Sequence, residues 1–371
     1  MNYYFIYSAG GGAGDWNGLD RIWKNSMPIV LKERILLKFG DVFFNHASLS
    51  SPLKPSMLKK VKSVRQWLYE NVEDEYVLSD LKILLDSGTS KLINTIYTQD
   101  NSLTPEEILY RFRGVIEKND ILEKYAEIIV NSNVEEAVTI DAPNPFKIRT
   151  QSANTKTNIF NDGNALIHVE LNSEYCNKLY RLLGGQKQML TTFNGLWDSS
   201  SLKVFLKGLD YKPKKIAIGG LTRATKDVIH EQLHMINKEI NLMELERVHF
   251  LGCGGIDKAT LIKSLGFTNE KFSVDNSTPY NRAIDGSLSG IKQSGYFDYH
   301  SKKLIRINPQ NKNLILTRHS NVQDKVFSND EMSEIIDGIL KHQSRNSDHD
   351  TYNNRAKLII HNHDVFRKNA L

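Results

Sequence analysis

An α/β fold is predicted, a (β/α)8 TIM-type barrel with an N-terminal α+β preface and a C-terminal helical appendage. Two observations predict it. Apolar, strand-like runs alternate with amphipathic helical patterns from residue 82 onward, which requires a parallel sheet with crossover helices. The runs also end on polar residues or glycine: Asp86, Asp141, Asn194, Gly219, Gly252 and Asp275. A barrel gathers the C-terminal ends of its strands on one face, where active sites are built, whereas an open doubly wound sheet spreads them out. The expected organisation is a preface over 1–75, a barrel over 76–300 and an appendage over 301–371 packed on the barrel.

In the preface, "YYFIYSA" and "DVFFNHA" have the aromatic and β-branched content of strands. "SMLKKVKSVRQWLYENV" reads as one amphipathic helix, with Leu58, Val61, Val64 and Leu68 spaced by three or four. The barrel strands are expected at "KILLD" (82–86), "AVTID" (137–141), "MLTTFN" (189–194), "KIAIGG" (215–220), "VHFLG" (248–252) and "FSVD" (272–275), with "ALIHVEL" (165–171) as another candidate. Between them, Thr104, Pro105 and Glu107 form a capping box with proline at the first helical position. Ile229, Leu233, Ile236 and Ile240 share one helical face, and Gly266 sits where a C-cap belongs. After residue 300 the chain is more polar, with one or two helices around a loop near 343–351.

Composition narrows the class. With 371 residues, 40% hydrophobic and 25% charged, the chain is that of a soluble globular protein with ample material for a core. Two cysteines, Cys176 and Cys253, cannot build a disulfide framework or a cysteine-rich zinc site. No apolar run reaches membrane-span length, and the N-terminus lacks the basic start of a signal peptide, so a cytoplasmic protein is expected. The net charge of +5 permits a nucleic-acid partner without requiring one.

Three aspartates at strand ends are the first chemical signal. Each alone has an ordinary reading as a turn residue or helix cap. Together, two carboxylates facing one bond suit displacement at an anomeric carbon, one attacking while the other handles the proton. The glycines of "AIGGL" and "FLGCGG" either make tight turns or admit a flat ligand close to the backbone. "AGGGAGDW" (9–16) lacks the Lys-Ser/Thr of a phosphate loop and the spacing of a dinucleotide fingerprint. His361 and His363, with His342 and His349 upstream, invite a metal reading. Their i,i+2 spacing does not bring two helical side chains together, so no metal is expected.

Read in order, "LLDSG" (84–88), "TIDAPNP" (139–145), "TTFNG" (191–195), "AIGGL" (217–221), "VHFLGCG" (248–254) and "VDNSTPYNRAIDG" (274–286) resemble the motif series of the tRNA-guanine transglycosylases. The resemblance covers roughly residues 75–290, most of the expected barrel. The sequence departs from that family in four ways. It lacks the cysteine zinc site, Thr89 stands for the second glycine of "LDSGG", the arginines after the nucleophile are not aligned, and the preface differs. These departures make the chain most similar to the divergent DNA-guanine transglycosylase type of phages and bacteria.

The resemblance implies a glycosyltransferase (a pentosyltransferase) that replaces guanine in DNA with a 7-deazaguanine such as preQ0. It implies Asp275 as nucleophile and Asp86 as general acid/base. It implies Asp141 on the purine's N1–H and amino group, Asn194 near the base's carbonyl edge, and Gly219 and Gly220 at the 7-substituent. Ser87 and Leu221, inside the same motifs, are expected at the base as well. Asn281, Arg282 and Arg318 are expected on the nucleic acid, and Lys302, Lys303, Arg306 and Arg355 are further candidates for phosphate contact. No cofactor is expected. The partners would be a nucleic acid and a free deazaguanine base, with an oligomer or helper protein also open. The alternatives are a tRNA-guanine transglycosylase and a non-catalytic transglycosylase-like subunit.

Overall fold

Eight parallel strands close into a barrel in sequence order: β1 (Asn2–Tyr7), β2 (Arg34–Lys38), β3 (Lys82–Asp86), β4 (Glu136–Val138), β5 (Met189–Asn194), β6 (Lys215–Gly219), β7 (Arg247–Phe250) and β8 (Phe272–Asp275). This is a (β/α)8 TIM-type fold. The computed structural model describes residues 1–7, 33–45, 48–71, 81–142, 162–194, 197–279, 283, 294–341 and 349–371. The seam closes where β1 pairs with β8, Tyr4 lying beside Asp275.

Closure explains why these strands read as nearly continuous apolar runs: both of their faces are buried. One alternate set (Tyr4, Ile6, Leu36, Leu84, Val138, Leu190 and Ala217) fills the lumen. The other set, among them Phe5, Ile35, Leu85, Ile216 and Phe250, faces the helices. Burying each such side chain contributes about 1.5–3 kcal/mol. At the N-terminal ends of β4 and β7 the lumen is stoppered by Arg247, 2.8 Å from Glu136 and donating to the Tyr4 hydroxyl at 3.0 Å.

Between the strands lie the helices α1 (Phe39–Phe43), α2 (Pro55–Lys60), α3 (Val64–Asn71), α4 (Ser90–Gln99), α5 (Pro105–Lys118), α6 (Ile121–Ser132), α7 (Asp162–Leu182), α8 (Ser199–Gly208), α9 (Lys226–Ile240) and α10 (Ile256–Ser264). The Thr104–Glu107 capping box opens α5, and Ile229, Leu233 and Ile236 are the buried face of α9. Gly266 takes φ +89° just past α10.

Several segments differ from their sequence-based expectation. β1 and β2 belong to the barrel, so the segment before residue 76 supplies its first two staves. "DVF" belongs to α1, with Phe44 its extended C-cap, and "RILLK" just before the helix is the strand. The single helix expected over 56–72 is two, α2 and α3, because Ser63 caps the second one: its hydroxyl accepts from the Gln66 amide at 3.2 Å. "ALIHVEL" lies inside α7.

The C-terminal part carries a two-stranded antiparallel sheet, β9 (Gly295–Phe297) with β10 (Leu304–Arg306), and the helices α11 (Lys312–Ser320), α12 (Asn329–Lys341) and α13 (His349–Ala370). Helix α13 lies on the barrel at β1: the Tyr3 hydroxyl and His363 Nδ1 are 2.7 Å apart, and the Phe5 and His363 rings are 4.2 Å apart. Among the described residues, no helix is long and apolar enough to cross a membrane.

Candidate active site at the C-terminal mouth of the barrel

Asp275, the last residue of β8, is the most tightly held carboxylate at the mouth. Its Oδ1 lies 3.0 Å from His249 Nε2 and accepts the Gly252 amide at 2.7 Å. Its backbone carbonyl accepts the Gly254 amide at 2.7 Å. The turn after β7 therefore wraps Asp275, and its glycines are what let it do so. Gly252 takes φ +69°, and a Cβ on Gly254 would stand 2.9 Å from the Asp275 carbonyl carbon and oxygen. That is tighter than a real side chain tolerates, so "LGCGG" holds the carboxylate rather than only turning the chain. Beneath, His249 is fully buried in the lumen, its Nδ1 2.8 Å from Ser273 Oγ and its ring edge-on to Tyr4.

Asp86 ends β3, directly beside Lys38 at the end of β2. Desolvation pushes the Asp86 carboxyl above the usual carboxylate range. The Lys38 ammonium counters that, while the charges of Asp275 and Asp41 add to it. Desolvation alone would lower Lys38, but Asp86, Asp41 and Asp275 outweigh it and hold the ammonium above its usual range. Lys38, Asp86 and Asp275 are thus one electrostatic group.

Asp141 follows β4 and is tied to the loop after Asp86. Thr89 Oγ1 donates to the Asp141 carbonyl at 2.9 Å and lies 3.3 Å from its Oδ1, which the Ser87 hydroxyl approaches at 3.5 Å. Desolvation, then the charge of Asp86, raises Asp141 to about 7. Thr89, the departure within "LDSGT", is therefore a working contact that binds two strand ends together.

The remaining expected residues fall into three groups. Asn194 and Gly219 are neighbours in register at the ends of β5 and β6, with Gly220 next at φ +82°. The Leu221 side chain is buried among the barrel's outer apolar contacts, and its carbonyl accepts from Lys258 Nζ at 2.8 Å, so it offers no side chain to a ligand. Asn281 and Arg282 lie outside the described residues. Arg318, on α11, pairs with Asp298 at 2.8 Å, an interaction within the C-terminal region.

Residues that the sequence did not single out, Lys38, His249 and Ser273, complete the site, together with Thr89, which was marked there only as a departure from the family motif. Their signal was present as polar residues inside strand-like apolar runs or directly after them.

Among the described residues, no group of three or more His, Cys, Asp or Glu could hold a metal ion. His361 and His363 are instead held in the core. His361 Nε2 lies 2.8 Å from the Phe297 carbonyl and its ring stacks on Tyr296, while His363 meets Tyr3. Burial pushes both imidazoles down to about 3, which keeps them neutral. With Cys176 and Cys253 both buried in the barrel, these residues do not fit the cysteine zinc site of the resembled family.

Compared with known proteins, the chain matches no family model and no curated protein.

The arrangement has the parts of a two-carboxylate displacement. One carboxylate is fixed at a single oxygen. A second carboxyl group is pushed toward its protonated form nearby, and a cation lies between acidic neighbours.

Proposed function

We propose that the protein is a base-exchange transglycosylase that replaces guanine in DNA with a 7-deazaguanine of the preQ0 type. The observation that carries this is the pairing at the barrel mouth: Asp275 is pinned through Oδ1, and its charge helps raise the carboxyl of Asp86. The ordered motifs from "LLDSG" to "VDNSTPYNRAIDG" support the same chemistry.

In the first half-reaction, an Asp275 oxygen forms a bond to C1′ as the C1′–N9 bond breaks. The bonding electrons leave with the purine, which takes a proton from Asp86. In the second, the incoming base gives its N9 proton to the Asp86 carboxylate and attacks C1′, and the ester oxygen departs as the Asp275 carboxylate. Each in-line displacement inverts C1′, with Asp275 on the face opposite the base, so the two in succession retain configuration. Asp86 needs a raised pKa to begin as the acid, and its surroundings provide the direction of that shift. Asp141, with Ser87 and Thr89 behind it, would accept the purine's adjacent N–H donors, while Asn194 and the Gly219–Gly220 backbone border the other edge. The target nucleotide must leave its stack for C1′ and the base to meet these residues.

The test offers labelled guanine or preQ0 to the purified protein with duplex DNA, single-stranded DNA and tRNA in separate reactions. Label entering DNA is expected. Label entering tRNA alone would instead make the protein a tRNA-guanine transglycosylase, and no exchange into any of them would favour a non-catalytic subunit.

A further inference from the structure

We infer that His249 is the positioning residue of the nucleophile: it reserves Oδ1 of Asp275 for hydrogen bonding and leaves Oδ2 as the oxygen that attacks. This rests on Asp275 acting as the nucleophile, as proposed above.

Both hydrogen bonds to the carboxylate among the described residues go to the same atom. His249 Nε2 reaches Oδ1 at 3.0 Å and the Gly252 amide donates to it at 2.7 Å. An ionised carboxylate only accepts, so the proton on that contact belongs to the imidazole. On the other side of the ring, Nδ1 lies 2.8 Å from the Ser273 hydroxyl, which can donate to a lone pair there when Nε2 carries the proton. The ring has no freedom to turn: it is fully buried, with Tyr4 edge-on at 5.5 Å between centroids. Ser273 thus suits the tautomer, His249 sets the carboxylate, and a fixed face of Asp275 meets the sugar.

The consequence is different for the two half-reactions. When Oδ2 bonds to C1′, Oδ1 becomes the ester carbonyl and its negative charge is lost. When the ester is cleaved, the charge returns to Asp275, and His249 and Gly252 are already in place to receive it. A donor that binds the carboxylate better than the ester makes Asp275 a better leaving group. Loss of His249 should therefore slow cleavage of the ester more than its formation, and the covalent intermediate should accumulate.

The experiment mixes wild-type protein with a single-stranded DNA oligonucleotide and labelled guanine. It quenches in acid during steady turnover and measures the exchange rate and the fraction of chain bonded to DNA. For His249→Phe, which fills the same space without a donor, exchange is expected to fall on the order of 10²-fold while the bonded fraction rises. His249→Gln, whose amide nitrogen reaches about as far as Nε2, is expected to restore most of the rate and the wild-type bonded fraction. A Phe variant that folds and exchanges at the wild-type rate, or one that slows without accumulating adduct, overturns the inference. Should the Phe variant fail to fold, the Gln variant decides, and a Gln variant as inactive as Asp275→Asn overturns it. Failure of the underlying reading is distinct: wild-type protein would then form no bond to DNA through Asp275 at all.

Discussion

Lys38 and Asp86 lie side by side where β2 and β3 end, and the Lys38 ammonium, ahead of the Gly88 amide, is the larger influence that restrains Asp86 from titrating higher still. Lys38→Met removes that restraint while keeping the length of the stem. The apparent pKa of the group that governs proton transfer should rise. A pH profile of kcat/KM checks this, and an unchanged profile would separate Lys38 from the proton chemistry.

Asp141 makes a prediction about both stability and binding. Its folded value of about 7 lies above the ordinary 3.8. Folding therefore takes up a proton, and the stability linked to this group is fully present below about pH 4 and lost as pH rises through 7. Asp141→Asn, which keeps a neutral side chain at every pH, should gain thermal stability relative to wild type across that interval. Melting curves from pH 4 to 8 measure it. Guanine binding should show the opposite trend in wild type, strengthening through pH 7 as the acceptor carboxylate forms, and should be flat in the variant.

Gly254→Ala places a methyl group 2.9 Å from the Asp275 carbonyl group. The strand end must shift, and a displacement near 1 Å at a reacting group costs on the order of 10²-fold in rate. Exchange assays paired with melting curves should find activity lost far beyond any loss of folded protein.

The opposite end of the barrel should behave differently. Arg247 and Glu136 pair with only 11% and 10% of their side chains exposed. Glu136→Leu strands the guanidinium, and breaking such a pair costs about 3 kcal/mol. Denaturant titration should show that loss, with turnover per folded molecule little changed.

How much of this was legible beforehand depended on where each polar residue pointed. Strands β3, β5, β6 and β8 announce themselves as apolar runs ended by Asp86, Asn194, Gly219 and Asp275. Strand β2 was hidden because "RILLKFGDVFF" holds two adjacent apolar runs, and the second folds as α1. Strand β1 reads as a strand, but its partner β8 is more than 260 residues away, and no local pattern reveals that pairing. The same physics hid His249 and Lys38. In a half-exposed sheet an alternate polar residue faces water, but in a closed barrel it faces the lumen, so its meaning depends on closure. "ALIHVEL" reads as a strand from its apolar content, and only the full length of α7 shows otherwise.

The most direct measurement is the site of covalent attachment. Wild-type protein is quenched in acid during turnover with a single-stranded DNA oligonucleotide, digested, and mapped by mass spectrometry. The deoxyribosyl group should be found on the peptide bearing Asp275 and be missing from Asp275→Asn. A sugar adduct on another residue, or base exchange that continues in Asp275→Asn, would contradict the assignment of Asp275 as the nucleophile.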